Sequence, residues 1–372
     1  MSKVFCQRCV LDDTVPGVEI IDGICNQCRE FDEKEKWFHE SAEREPIFKA
    51  TIGKIKEDGK GKKYDCIVGV SGGQDSSYTL YMSKQLGLRP LAVHFDNGWN
   101  SEQSIKNIKK ITTKLNVDLY TYVVDWEEFR DLQLSFLKAS VPDVEVPSDI
   151  GIKATLYRMA VKYGVKYILY SGSNYRTEGQ IPKDWTYMDG LYIKSVHKEF
   201  GTKRLKTFPN ITAWDIFYFH IVKGIKIVKL LDFIEFNSNE VLDLLKKEFE
   251  WEYYGGKHFE SVYTKFIQTY YLPVKFGIDK RKVHYSALVR SGQMSREEAL
   301  KKLQELPYDE SRIQEEIEYV CKKLKISEKE LREIMKLPPK SYRDYRTYDT
   351  FKSKFQPMID YLKKKKLWPK IA

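Results

Sequence analysis

Two groups of residues in this chain of 372 have the types and spacing to do chemistry. The first is a pair of pairs, Cys6-Gln7-Arg8-Cys9 and Cys25-Asn26-Gln27-Cys28, with fifteen residues between Cys9 and Cys25. Four thiolates at C-x2-C-x15-C-x2-C spacing predict a Zn2+ site held by Cys6, Cys9, Cys25 and Cys28. Pro16-Gly17 and Asp22-Gly23 supply turns, and Val18-Glu19-Ile20-Ile21 a short hairpin strand between them, as in a zinc ribbon. An all-thiolate set leaves no position open for water, so the metal is expected to be structural. Neither pair reads as the start of a helix after a buried strand, which argues against a redox C-x-x-C. Disulfides are disfavoured in a reducing compartment.

The second group is Ser71-Gly72-Gly73-Gln74-Asp75-Ser76-Ser77, set between the apolar run Cys66-Ile67-Val68-Gly69-Val70 and a helix. Two glycines let the backbone bend and approach an anion with no side chain in the way. The helix that follows turns free N–H groups and the positive end of its dipole toward that anion. Ser71, Ser76 and Ser77 add hydroxyl donors. Asp75 would repel phosphate and reads as a Mg2+ ligand. The loop is a phosphate cradle without a Walker lysine. Residues 53–60 only imitate a Walker loop, being one residue too long and lacking a hydroxyl residue after Lys60.

These groups need elements to hold them. From Tyr64, strands at 66–70, 90–95, 119–124 and 166–170 alternate with helices at 76–86, 101–115, 125–138 and 152–163. That repetition predicts an α/β fold, a parallel sheet with its ligand at the carboxyl ends of the strands. Beyond about residue 205 the strands run out and helices dominate. The most apolar stretch, 211–236, carries Asp215, His220, Lys223, Lys226, Lys229 and Asp232. Those charges exclude a membrane span and predict an amphipathic helix packed on the core. No apolar leader follows Met1, so a cytoplasmic location is expected.

Composition excludes more than it identifies. Gly (21) and Pro (13) are too few for a collagen-like or linker protein, and six cysteines too few for a disulfide scaffold. Lys plus Arg exceed Asp plus Glu by 63 to 53, a net +10 that suits phosphate-bearing ligands. Part of it is the basic tail at 363–366. Cys66 and Cys321 stand alone and read as core thiols.

The loop at 71–77 resembles the PP-loop of the ATP pyrophosphatase superfamily, whose members cleave ATP to AMP and pyrophosphate. Val93-His94-Phe95-Asp96-Asn97-Gly98 is similar to that superfamily's adenosine-side segment, and Ser171-Gly172-Ser173-Asn174 to a further wall of the pocket. The resemblance implies an adenine-nucleotide α-hydrolase-like sheet. It implies ATP contacts from Ser71, Gly72, Gly73, Asp75, Ser76, Ser77, His94, Phe95, Asp96, Gly172 and Asn174. A substrate carbonyl oxygen would attack the α-phosphorus, and a nucleophile would then displace AMP. Loop donors and Mg2+ would stabilise the departing pyrophosphate.

The second half carries Tyr254-Gly255-Gly256-Lys257-His258-Phe259-Glu260-Ser261 and Leu272-Pro273-Val274-Lys275-Phe276-Gly277-Ile278-Asp279-Lys280-Arg281-Lys282. His284-Tyr285-Ser286 and Ser291-Gly292-Gln293-Met294-Ser295-Arg296-Glu297-Glu298-Ala299 follow. With the ribbon and the loop, these resemble the N-acetyl sugar amidotransferase family of surface-polysaccharide (lipopolysaccharide) and nonulosonic-acid biosynthesis, over essentially the whole chain. The resemblance implies a ribbon at 1–32, a linker helix at 33–63, a PP-loop ATP-binding domain at 64–205 and a mostly helical region at 206–372 that completes the active site. It implies conversion of the acetamido group of an N-acetylated nucleotide sugar to acetamidino. Ammonia would come from a separate glutaminase subunit, because position 2 is Ser2 and no Gly-x-Cys-x-Gly turn is present.

Catalytic roles are expected for Asp75, His258, Glu260, Lys280 and Arg281. His258 and Glu260 would act as base or Mg2+ ligand. Lys280 and Arg281, with Lys282, would form a basic knot that neutralises pyrophosphate or a sugar diphosphate. Arg296 reads as a surface residue of a capped helix. The alternative is a tRNA-modifying PP-loop thiolase with a zinc ribbon. Sulfur transfer needs further cysteines near the nucleotide, and only Cys66 and Cys321 remain. A zinc-ribbon nucleic-acid binder would leave the loop at 71–77 unexplained, so nucleic acid is not expected as a partner.

Overall fold

The computed structural model describes residues 3–172 and 174–349. At the N-terminus β1 (Ile20–Ile21) pairs antiparallel with β2 (Ile24–Cys25), and α1 (Asn26–Glu40) follows directly. The second cysteine pair therefore does open a helix after a strand, contrary to expectation. The stretch 33–63 contains the rest of α1 and then α2 (Arg44–Asp58), whose Ile52 and Ile55 are buried against the sheet.

The sheet elements then run β3 (Cys66–Gly69), α3 (Gln74–Gln85), β4 (Pro90–Asp96), α4 (Glu102–Lys114), β5 (Leu119–Val123) and α5 (Trp126–Lys138). After these come α6 (Val146–Lys162), β6 (Tyr167–Leu169), α7 (Gly190–Phe200), α8 (Ala213–Phe217) and β7 (Lys226–Val228). Five parallel strands stand in the order β5-β4-β3-β6-β7. The chain builds outward from β3 to β5, then returns through α6 to place β6 on the other side of β3. Loops leaving β3 and β6 diverge there, which opens a crevice at their carboxyl ends.

Alternation along the strands feeds two cores. Cys66, Val68 and Val70 pack with Leu80 of α3 and Ile108 and Ile111 of α4. Ile67, Leu91 and Val93 point the other way and pack with Phe129 and Leu132 of α5 and Leu156 of α6. Each such buried aliphatic side chain contributes ~1.5–3 kcal/mol.

Two expectations about the region beyond 205 are corrected. The strands do not run out there, because β7 adds a fifth strand to the sheet edge. Nor is 211–236 one amphipathic helix. It breaks into α8, a π-helical turn at Tyr218–Val222, β7 and a 3-10 turn at Leu230–Asp232. Gly224 at φ 62° ends the helical part. Trp214, Phe217, Ile221 and Val222 are exposed rather than packed on the core. No helix among the described residues is long and apolar enough to cross a membrane.

The remaining helices are α9 (Ser238–Phe249), α10 (Val262–Phe266), α11 (Arg281–Arg290), α12 (Arg296–Gln304), α13 (Ile313–Leu324) and α14 (Glu328–Lys336). A π-helical stretch, Ile267–Phe276, continues α10. Ser327 and Glu330 form a reciprocal capping box on α14, whereas Ser295 caps α12 only through its own side chain. Val320, Cys321 and Leu324 of α13 share one core with the ribbon cysteines and a face of the sheet. Ser173 and the lysines at 363–366 lie outside the described residues.

Candidate active site

The ribbon cysteines come together. All four are fully buried, with Cys6 Sγ 3.8 Å from Cys28 Sγ and Cys9 Sγ 3.7 Å from Cys25 Sγ. A single tetrahedral ion with ~2.3 Å bonds to sulfur sets ligands about 3.8 Å apart. The four thiolates thus fit one metal ion, and this convergence, not the absence of a helix, sets the pairs apart from a redox motif. Arg296 donates to the Cys9 and Cys6 carbonyl oxygens, both at 3.1 Å, and the Val10 N–H donates to Ser286 Oγ at 3.2 Å. Arg296 is therefore not a free surface residue; it docks the ribbon on the C-terminal helices.

The phosphate cradle forms at the end of β3. Gly72 adopts φ 79°, and a Cβ there would lie 2.3 Å from the Ser104 carbonyl oxygen, so only glycine fits. Gly73 is the N-cap of α3 and has no side chain to cap the first N–H groups of the helix. Ser71 N–H donates to Ser76 Oγ at 3.2 Å, and Ser76 Oγ lies 3.1 Å from the Gly73 oxygen. Ser71 and Ser76 line a cavity of about 740 Å³. Ser77 is buried within α3 and does not line it.

The other residues expected on the nucleotide side divide. His94 and Phe95 line the cavity, as does Gly172. His94 Nδ1 donates to the Val70 oxygen at 2.8 Å, which leaves Nε2 to accept from Asn100 Nδ2 at 3.2 Å. Burial lowers the His94 pKa, in keeping with a neutral ring. Asp96 turns away and accepts from Gly98 N–H and Asn100 Nδ2, both at 2.9 Å. Asn174 is buried and accepts from the Arg176 N–H at 3.1 Å, with its Nδ2 unpartnered. Neither Asp96 nor Asn174 lines the cavity.

A second wall faces the cradle. Glu260 Oε1 accepts from Ser71 Oγ at 3.3 Å, and a Cβ on Gly73 would come within 3.0 Å of it. Lys257 Nζ stands 3.5 Å from Asp75 Oδ2 and 2.9 Å from Glu178 Oε2. His258 Nε2 is 2.9 Å from Glu178 Oε1. Burial raises the Asp75 pKa despite the neighbouring Lys257. Burial acts the same way on Glu178, but Lys257 and His258 outweigh it and hold the carboxyl well below the usual range. Burial would lower the Lys257 pKa, yet Asp75 and Glu178 raise it, so the ammonium stays charged. Three carboxylates, Asp75, Glu178 and Glu260, thus surround one ammonium beside an anion cradle. That arrangement can hold a cation-bound phosphate.

The basic knot comes apart. Lys280 lines the cavity and pairs with Glu145 at 3.2 Å. Arg281 grips Asp279 at 2.7 Å and the carbonyl oxygens of Lys302 and Glu305, away from the cavity. Lys282 pairs with the buried Asp12 of the ribbon at 2.6 Å. Residues missed from the sequence fill the gap. Arg290 lines the cavity at 7% exposure with Nε and Nη1 unpartnered. Glu178 and Arg290 sit in no recognisable motif, whereas Lys257 stands beside the Gly-Gly turn and next to His258. Cys66 and Cys321 are buried in opposite cores.

Residues 65–157 match the family described as Queuosine biosynthesis protein QueC. Residues 260–365 match the one described as LPS biosynthesis protein WbpG-like, C-terminal domain. Each match covers less than a third of the chain, and together they make it similar to a PP-loop family in its first half and to a lipopolysaccharide-biosynthesis family in its C-terminal part. An uncharacterized protein of Methanocaldococcus jannaschii is 30% identical over 111 residues, which cover 30% of this chain and 39% of that protein. A 7-cyano-7-deazaguanine synthase of Sulfurimonas denitrificans is 34% identical over 106 residues, covering 25% of this chain and 46% of the synthase. The chain thus spans less than half the length of these curated relatives. The NH3-dependent NAD synthetase of Campylobacter jejuni superposes with a TM-score of 0.28 at 13% identity, over 56% of this chain and 93% of that one. That superposition is too slight to bear on fold or function.

Proposed function

We propose that this chain is the synthetase subunit of an ATP-dependent, carbon–nitrogen bond-forming amidotransferase. It converts the acetamido group of an N-acetylated, nucleotide-linked sugar to acetamidino, releasing AMP and pyrophosphate. One observation carries the reading: Ser71 and Ser76 of the uncapped cradle and the residues Glu260 and Lys280, inside the WbpG-like match, line one cavity. ATP sits with its phosphates on Ser71, Ser76 and the α3 N-terminus, and Asp75 with Glu260 holds Mg2+. Lys257 neutralises pyrophosphate as it leaves. The four ribbon thiolates hold structural Zn2+. Ammonia comes from a separate glutaminase in the cytoplasm. Cys66 and Cys321, buried on opposite faces of the sheet, support an ammonia route over sulfur transfer.

The test is product analysis with ATP, Mg2+, ammonium and a UDP-di-N-acetylated sugar. AMP, pyrophosphate and a sugar with one acetamido oxygen replaced by NH are expected. ADP as the nucleotide product would sink the reading, as would thiolated tRNA from a sulfur donor.

A further inference from the structure

Beside the cradle lies a group whose chemistry the ATP reading does not use. Glu178 Oε1 is 2.9 Å from His258 Nε2 and 4.0 Å from His284 Nδ1. One ligand atom from each of the three residues falls within 4.8 Å of the others. The carboxylate is divided: Lys257 takes Oε2, and Oε1 faces two imidazoles. His284 is only 7% exposed, and neither of its ring nitrogens has a hydrogen-bond partner. A buried polar group left unsatisfied destabilises the fold, and a ligand would remove that cost.

The surrounding backbone holds these three side chains in place. His258 adopts φ 64°, a strained conformation for a residue with a side chain. Gly179, next to Glu178, adopts φ 68°, and a Cβ there would lie 2.8 Å from Val283 Cγ1. The segment carrying Glu178 is thus pressed against α11, the helix that carries His284.

We propose that Glu178, His258 and His284 bind one divalent transition-metal ion of the zinc class. Two imidazoles and one carboxylate oxygen form a three-ligand set that leaves a coordination position open. Nitrogen donors select such a metal over Mg2+, which takes oxygen ligands. Bonds of ~2.0–2.2 Å at tetrahedral angles set ligand atoms ~3.3–3.6 Å apart, so on binding His258 moves away from Glu178 and His284 moves toward it. Glu178 and His258 line the cavity, so the open position faces it and takes water or a substrate oxygen. This ion is additional to the one on the ribbon thiolates and to the Mg2+ that accompanies ATP. It stands whether or not the substrate is a sugar.

Metal content tests it directly. The untagged full chain and its His258→Gln and His284→Asn variants are equilibrated with Zn2+, freed of excess and assayed. Wild type should retain one equivalent more than either variant; any ribbon-bound metal cancels in the difference. With Co2+, the wild-type-minus-variant difference spectrum should show weak visible bands and no thiolate charge transfer, because the ribbon's contribution is common to all three proteins. Equal metal content in wild type and either folded variant overturns the proposal and leaves Glu178–His258 as an ion pair. If neither variant folds, a wild-type Co2+ spectrum holding only thiolate charge-transfer features overturns it.

Discussion

The two walls of the cavity are built in opposite ways. The cradle is one continuous strand, turn and helix, β3 to α3, and its working groups are backbone N–H donors. The facing wall is assembled from separate stretches: Glu145 before α6, Glu178 in a loop, 257–260 ahead of α10, and Lys280 with Arg290 at the two ends of α11. Its working groups are charged side chains held by one another. A backbone site tolerates no change in conformation, whereas a wall of paired charges fails one pair at a time.

The largest effect is therefore expected from the smallest substitution. Gly72→Ala puts a Cβ into the Ser104 carbonyl oxygen and should abolish AMP formation, with a fall in thermal stability of ~1–2 kcal/mol from the left-handed backbone alone. A variant that still releases pyrophosphate at the wild-type rate breaks the comparison. In the facing wall, Lys257→Met should lower kcat by ~10²–10³-fold, the effect of losing one preorganised electrostatic donor. An unchanged kcat with a raised KM would instead make Lys257 a ground-state contact.

Acidity sharpens the contrast further. Burial pushes the Asp143 carboxyl, in the facing wall, up to about 7, against hydrogen bonds from Tyr192 and Tyr187 that favour the charged form. The folded state then holds a proton that the unfolded state releases above 3.8, so this residue's stability contribution falls as pH rises from about 4 to about 7. Asp143→Asn should become progressively more stable relative to wild type over that window, read by denaturant unfolding. A gap that does not change with pH refutes the sign. The smallest effect belongs to Arg281→Ala. Turnover and the KM for ATP should stay within ~2-fold, and stability should fall by about 1 kcal/mol.

The same contrast decides what was legible in the sequence. The cradle could be read because its strand, glycines and helix start are adjacent. The basic knot misled because neighbouring helical residues point about 100° apart, at 3.6 residues per turn. Lys280, Arg281 and Lys282 therefore reach the cavity, Asp279 and the ribbon in turn. Strand β7 escaped because it is three residues long, starts with Lys226 and lies at the sheet edge, where alternation carries little signal. Glu178 and Arg290 owe their place to packing between distant segments, which no local spacing encodes.

The contact between Val10 and Ser286 spans 276 residues of chain. During synthesis the ribbon and the cradle emerge before α11, which cannot dock until the chain has been made past Arg290. The cavity is consequently closed last. Until then the nascent protein carries an anion cradle without the wall that faces it, so chemistry that needs both walls has to wait for the segment that carries the second.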